Sequence, residues 1–171
     1  PTSSTIAQLS LGDALAISAM EQKKFGKLDF KKFHPSGSLG TKLKTVEDLM
    51  LTGNNIPFVS ENLKMKNALD VITKKKLGIL VVRNKKKKTT GIITDGQVRR
   101  FSQKNSDLKN LTVKKVMTPN PITIEKDTLA AKALSLMNKK KITCLCVKSK
   151  KNKNNTIGIL HIHNILSANI H

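Results

Sequence analysis

The chain has 171 residues, 38% of them hydrophobic, and 32 Lys and Arg against 11 Asp and Glu give it a formal charge of +21. That length holds one good core or two small ones, and no apolar run approaches the ~18 residues of a bilayer span, so a membrane segment is excluded. The first residue is Pro1 rather than Met, and "PTSST" reads as a turn into a helix, so a piece cut from a longer protein is expected.

The excess of positive charge raises the question of a nucleic-acid partner. Its distribution argues against one. Much of it lies in "RNKKKK" (83–88) and "KSKKNK" (148–153), each between two apolar β-like runs, which reads as two solvated hairpin loops rather than one binding stripe. Without Trp or Tyr the chain also lacks stacking platforms for single strands. Cys144 and Cys146 are two apart, where a strand points both to one face and a disulfide between them is strained. They read as reduced core thiols of a protein in a reducing cytoplasm.

In chain order, residues 4–24 place Ile6, Leu9, Ala14, Ile17 and Met20 near a helical stripe, with Ser3 or Ser4 as cap and Gly26 as stop. A second short helix is expected from Asp29 to just before Pro35, with His34 in a Pro-Ser-Gly-Ser turn. From Thr45 the chain repeats. Val59 falls on Ile124, Ile72 on Met137 and Val82 on Val147, an offset of 65, and after the lysine loops Gly91-Ile92-Ile93 falls on Gly158-Ile159-Leu160, an offset of 67.

Each copy predicts a short helix ending at Met50 or Met117, a strand (Ile56–Val59; Ile122–Ile124) and an amphipathic helix (Asn67–Lys75; Leu129–Lys139) with Ser60 or Asp127 as candidate cap. Two strands follow (Leu77–Arg83 and Thr90–Thr94; Thr143–Lys148 and Thr156–His161), then a closing helix after Gly96 or Ile162. The fold class is α/β (α+β), β-α-β-β-α twice with pseudo-twofold symmetry, divided as a prefix and linker 1–44, a first copy 45–106 and a second copy 107–171. A copy of ~55 residues is marginal alone, so one unit is expected rather than two independent beads. Met50, Met65, Met117 and Met137 read as core or turn residues.

Over residues 45–170 these features resemble a tandem of cystathionine β-synthase-type (CBS) domains, the pairing of "LM" or "VMTPNP" with "GIITDGQVRR" or "GILHIHNIL" carrying the likeness. The prefix narrows it: "PTSST", "LGDALA", "DF", "HPSGSLG" and "TDGQVRR" look like the carboxy-terminal part of the bacterial arabinose-5-phosphate isomerases, in which a sugar isomerase (SIS) domain precedes a CBS pair. The resemblance implies a cytoplasmic aldose-ketose isomerase that interconverts ribulose 5-phosphate and arabinose 5-phosphate, toward Kdo for lipopolysaccharide or capsule. It makes residues 1–44 the helical end of the SIS domain. In that family the histidine of H-P-G-G-x-L-G is implicated in the active site, and His34 holds the matching position, with Ser36 in place of the usual first glycine and Thr41 where an arginine is common.

Isomerisation of this kind needs a base, carbonyl-polarising groups and a phosphate holder. Glu21, Glu47, Glu61 and Glu125 all sit in polar surface contexts, and no Gly-Lys-Ser loop or Ser-x-Ser-Gly turn is present, so His34 is expected to be catalytic only in an intact enzyme; read by itself it is a surface histidine in a turn.

The CBS resemblance implies a nucleotide-like ligand in the cleft between repeats, held in adenosyl-binding members by a G-h-h-[ST]-x-x-D pattern. Here Gln97 and Asn164 replace the aspartate. The candidate ligand-binding set is Thr94, Asp95, Gln97, Arg99, Arg100, Ile142, Thr143, His161, His163 and Asn164. The pathway that the resemblance implies ends in CMP-Kdo, and this sugar nucleotide is the expected effector, its ribose, phosphate and carboxylate matching amides and arginines. No cofactor is expected, and no metal, since no cysteine or carboxylate joins His161, His163 and His171 at ligand spacing. Expected partners are the chain's own SIS domain and further copies, a homodimer through the CBS pair and a homotetramer in the intact enzyme. A purely structural assembly module without ligand stays open as the alternative, and a basic nucleic-acid-binding fragment ranks below it.

Overall fold

The computed structural model describes residues 2–26, 29–30, 33, 37–104, 107–150 and 152–170. They fall into two compact units, residues 1–43 and 44–171.

The first unit is led by α1, Ser3–Gln22. Its cap is Thr2 rather than Ser3 or Ser4: Thr2 is extended, and its Oγ1 pairs with the hydroxyls of Ser4 and Thr5. The helix ends two residues before the expected residue 24, and Gly26 is not its stop. It closes where Lys24 turns left-handed (φ 52°) and Phe25 N donates back to Met20 O, while Gly26 N instead donates to Asp29 Oδ2 and starts the next turn. The expected stripe of Ile6, Leu9, Ala14, Ile17 and Met20 is exposed along its length, since a lone helix has nothing of its own on which to bury a face. Asp29, Phe30 and Phe33 are helical, and a short α2 covers Gly37–Lys42. His34 and Ser36 lie outside the described residues.

In the second unit the first copy comprises α3 (Val46–Leu49), β1 (Leu51–Thr52), β2 (Phe58–Ser60), α4 (Met65–Lys75), β3 (Ile79–Arg83), β4 (Thr89–Thr94) and α5 (Asp95–Lys104). The second copy comprises α6 (Val113–Val116), β5 (Thr118–Pro119), β6 (Thr123–Glu125), α7 (Ala130–Lys140), β7 (Cys144–Ser149), β8 (Asn152–His161) and α8 (Ile162–Leu166). The β-α-β-β-α order of each copy is as expected from the repeat, with β2 and β6 set one or two residues later and β8 four residues longer toward its hairpin.

The sequence did not announce the short strands β1 and β5, and they join the copies. One sheet runs β2-β3-β4-β5 and the other β1-β8-β7-β6, so each copy gives its first strand to the other copy's sheet. The registers obey the repeat: β5 sets Thr118 and Pro119 against Ile92 and Gly91, while β1 sets Leu51 and Thr52 against Ile159 and Gly158.

The same exchange replaces the side-chain caps. Neither Ser60 nor Asp127 caps a helix: the caps are Lys64 and Leu129, without side-chain bonds. The first free N–H of α4, Met65 N, donates to Leu111 O, and that of α7, Ala130 N, donates to Lys44 O, each 2.8 Å. A carbonyl from the opposite copy's lead-in thus does what a cap hydroxyl usually does.

Three apolar layers follow. Helices α4 and α7 each cover the outer face of one sheet, with Met65 and Ala68 buried in the first and Ala130, Ala133, Leu134 and Met137 in the second. Between the sheets lie Ile56, Ile79, Val81, Cys144, Cys146 and Ile159. Strands covered on both faces need continuous apolar runs, and the first four residues of both β3 and β7 are buried. Both cysteines are free thiols here, and burial pushes them up to about 11 for Cys144 and about 12 for Cys146.

Where the lead-in of one copy crosses the other's sheet, only glycine fits. A Cβ on Gly91 meets Met117 Sδ and the Thr118 carbonyl oxygen, each at 2.7 Å, and one on Gly158 meets Met50 Sδ with the Leu51 carbonyl oxygen at 3.2 Å. Gly91→Ala presses on backbone and is expected to cost about 1–3 kcal/mol. Gly158→Ala presses first on a flexible side chain and is expected to cost less. Urea unfolding of the two variants checks this order, and equal or negligible losses would contradict the crossing geometry.

Candidate functional site

A cavity of about 640 Å3 opens between the copies. Its polar edge begins where β4 passes into α5, at Thr94, Asp95, Gln97 and Arg100. Strand β5 and its connection to β6 add Thr118, Asn120, Pro121 and Ile122, the end of α7 and the start of β7 add Lys141 to Cys144, the end of β8 adds His161 and the first turn of α8 adds His163. Leu77, Ile92, Ile122 and Ile142 supply apolar walls. A mixed cleft of this volume suits a ligand with one flat apolar part and one polar or anionic part.

Gly78 shapes the floor. It is left-handed (φ 62°), its carbonyl accepts from Asp95 N at 3.0 Å, and a Cβ there meets Asp95 Oδ2 at 2.8 Å. In the second copy Thr143 takes the same position, its carbonyl accepting from Ile162 N at 2.8 Å. The two ends of the cleft therefore share one backbone hydrogen bond, while only Gly78 is left-handed, and they differ in side chains, Gly78 and Thr94 at one end and Thr143 and His161 at the other.

Gln97 and Asn164 do the same local work. Gln97 Oε1 accepts from Thr94 N at 3.0 Å, and Asn164 Oδ1 accepts from His161 N at 3.1 Å. Each amide closes the first turn of its helix as an acidic side chain does in a capping box. The Gln97 amide nitrogen also donates to Thr118 Oγ1, tying the helix to the crossing strand. Arg100 carries no ion pair among the described residues.

The histidines are stacked, ring centroids 5.0 Å apart, and His161 Nδ1 accepts from His163 N at 3.3 Å. Burial, with a smaller contribution from His163, holds His161 below its ordinary value of 6.5. A proton on Nδ1 would also end the bond that Nδ1 accepts. Among the described residues no cluster of His, Cys, Asp and Glu is arranged to hold a metal.

Of the ten sequence candidates the cavity brings together eight: Thr94, Asp95, Gln97, Arg100, Ile142, Thr143, His161 and His163. Arg99 is exposed and not in the lining, as expected one step of ~100° around α5 from Arg100. Asn164 is also outside the lining. Leu77 and Gly78 went unread, although an offset of 65 from Ile142 and Thr143 leads straight to them. Asn120, left-handed at φ 52°, and its neighbours went unread because they reach the cleft only through the strand exchange.

The CBS domain family model matches residues 46–104 and 113–171, and the chain belongs to that family. It is 40% identical over 171 residues to "Arabinose 5-phosphate isomerase KdsD" of Salmonella typhi, covering 99% of this chain and 51% of that protein, so the chain spans about half the length of the curated relatives it matches. Among solved structures it resembles CBSX2, from Arabidopsis thaliana, in complex with AMP, at 26% identity and TM-score 0.62, covering 73% of this chain and 95% of that one. An uncharacterized conserved protein of Pyrococcus horikoshii has the same fold, at 19% identity and TM-score 0.66, over 76% and 95% of the two chains.

The lowered His161 has a consequence for stability. Folding favours its neutral form, so the stabilisation is present above pH 6.5 and is lost as pH falls through the lower folded value. The unfolding midpoint is expected to fall below pH 6.5, and His161→Ser, which keeps a capping oxygen, is expected to flatten that slope. Denaturant melts between pH 5 and 8 test this; an unchanged slope in the variant would assign the effect elsewhere.

Proposed function

We propose that residues 44–171 are the regulatory CBS pair of an arabinose-5-phosphate isomerase, binding a nucleotide or sugar nucleotide in the 640 Å3 cleft. The observation that carries this reading is the lining: apolar Leu77, Ile92 and Ile142 for a base, the hydroxyls of Thr94, Thr118 and Thr143, and Arg100 and Lys141 against a single carboxylate, Asp95. That balance favours an anionic ligand. The relative CBSX2, solved with AMP, and the isomerase name of the curated relatives support the same reading. CMP-Kdo, with a ribose, a phosphate and a carboxylate, is the effector proposed in particular.

Turnover is proposed to require a SIS domain that this chain does not supply. His34 is proposed to act only within the intact enzyme, assembled as a homotetramer. An isomerase assay on the 171-residue chain is expected to give no product; measurable turnover would refute this division of labour.

One observation favours a second reading, an assembly module without ligand. The amides at the ribose-binding positions of the family pattern are committed to backbone, Gln97 to Thr94 N and Asn164 to His161 N. Calorimetry separates the two. Binding of CMP-Kdo or AMP, weakened about tenfold by Arg100→Ala for the loss of ~1.4 kcal/mol of charge-assisted bonding, is expected from the sensing reading. No heat from either ligand at millimolar concentration establishes the assembly reading instead.

A further inference from the structure

A second cavity, of about 210 Å3, lies where the β3–β4 and β7–β8 hairpins meet, lined by Thr89, Asn120, Pro121, Thr123, Lys148, Asn155 and Thr156. Its origin lies in the repeat. The offset of 65 carries Phe58 to Thr123 and Arg83 to Lys148, and the offset of 67 carries Thr89 to Thr156. In the first copy Arg83 lies over the Phe58 ring, 3.0 Å from its centroid, and Nη2 donates to Thr156 O at 2.9 Å, so the large pair fills its site. In the second copy a threonine and a lysine stand in the same two positions. Space opens there, and the side chains around it are polar.

The chemistry of the lining is one-sided. Thr89 and Thr156 pair through their hydroxyls at 2.9 Å. The side chains of Asn120, Thr123, Lys148 and Asn155 have no hydrogen bond or ion pair among the described residues, leaving hydroxyl, amide and ammonium donors uncommitted. No carboxylate lines the cavity. Glu125, opposite Lys148 in the β6–β7 register, is the nearest acid in that ladder and is outside the lining, while Asp127 is 3.6 Å from Lys150. The exposed turn Lys85–Lys88 adds to the positive potential of this end. The cavity has about a third of the nucleotide cleft's volume (210 against 640 Å3), room for a tetrahedral oxyanion with part of its shell.

We propose that this cavity binds a small tetrahedral oxyanion of the phosphate class, with Lys148 supplying charge and Thr123, Asn120 and Asn155 supplying directed donors. The site is separate from the nucleotide cleft, touching it only through Asn120 and Pro121, and does not rest on that reading.

Amide NMR of the 171-residue chain at fixed ionic strength tests it, with inorganic phosphate, ribose 5-phosphate and sodium chloride as separate titrants. Saturable shifts centred on Thr123, Lys148 and Asn155 are expected with a phosphate-bearing titrant and not with chloride. Tighter binding of inorganic phosphate identifies the free ion as ligand; tighter binding of ribose 5-phosphate identifies the head of a phosphomonoester. The double variant T123F/K148R rebuilds the first copy's filled arrangement and is expected to weaken binding at least tenfold. Lys148→Gln, which removes only the charge, is expected to do the same if the double variant does not fold. Arg100→Ala, in the other cleft, is expected to leave the shifts at Thr123, Lys148 and Asn155 unchanged. Shifts that never saturate, that chloride reproduces, that centre on Thr94 and His161, or that survive Lys148→Gln would overturn the proposal.

Discussion

Each sheet of residues 44–171 is finished by a strand that belongs to the opposite copy, and most other features depend on that exchange. The backbone of β1 and β5 fills edges that β8 and β4 would otherwise present bare. The lead-ins also deliver carbonyls to the free N–H groups of α4 and α7, which is why those helices start after Lys64 and Leu129 without a capping side chain. Gly91 and Gly158 allow the crossing, because the methionine that ends each lead-in lies where a Cβ would stand. A copy of this size has little core of its own. The exchange joins its apolar faces to the other's through the layer of Ile56, Ile79, Val81, Cys144, Cys146 and Ile159.

The nucleotide cleft is a product of the same arrangement. Its floor comes from two symmetry-related backbones, Gly78 before Asp95 and Thr143 before Ile162, and part of its rim from a segment that has crossed over. Duplication supplies the frame, and divergence the chemistry: threonine and arginine at one end, stacked histidines at the other. The smaller cavity shows divergence by subtraction, where Thr123 and Lys148 do not fill what Phe58 and Arg83 fill.

Much of this was legible in the sequence because it is local or periodic. The apolar runs of β3 and β7, the helical stripes of α4 and α7 and the two offsets sufficed for the order of elements, and the resemblance to CBS domains, through the motif after β4 and β8, pointed to eight lining residues of the cleft. What escaped is non-local. A two-residue strand such as Leu51–Thr52 has no periodicity of its own, and its partner is over a hundred residues away. Ser60 and Asp127 looked like caps because cap rules assume that a helix satisfies its ends locally; here the donors are met by Leu111 and Lys44. The register of the motif places Gln97 in the cleft lining and Asn164 outside it, and it does not show that an amide three residues into a helix can turn back on the backbone, as both do. The apolar stripe of α1 was read correctly as a helix, but pattern alone names no surface to cover it.

The matching registers of β1 on β8 and β5 on β4 carry a last implication. Nothing in either pairing requires the two copies to share a chain, since each copy offers the other the same edge and the same strand. Two separate chains of one repeat each could make the same pair of contacts about a true twofold axis, at a stability set by their concentration. Fusion through the segment after α5 makes the second contact intramolecular, at an effective concentration that short linkers raise to the millimolar range. It also frees the two halves from being identical, and only a chain with that freedom can keep Arg83 in one half and open a cavity beside Lys148 in the other.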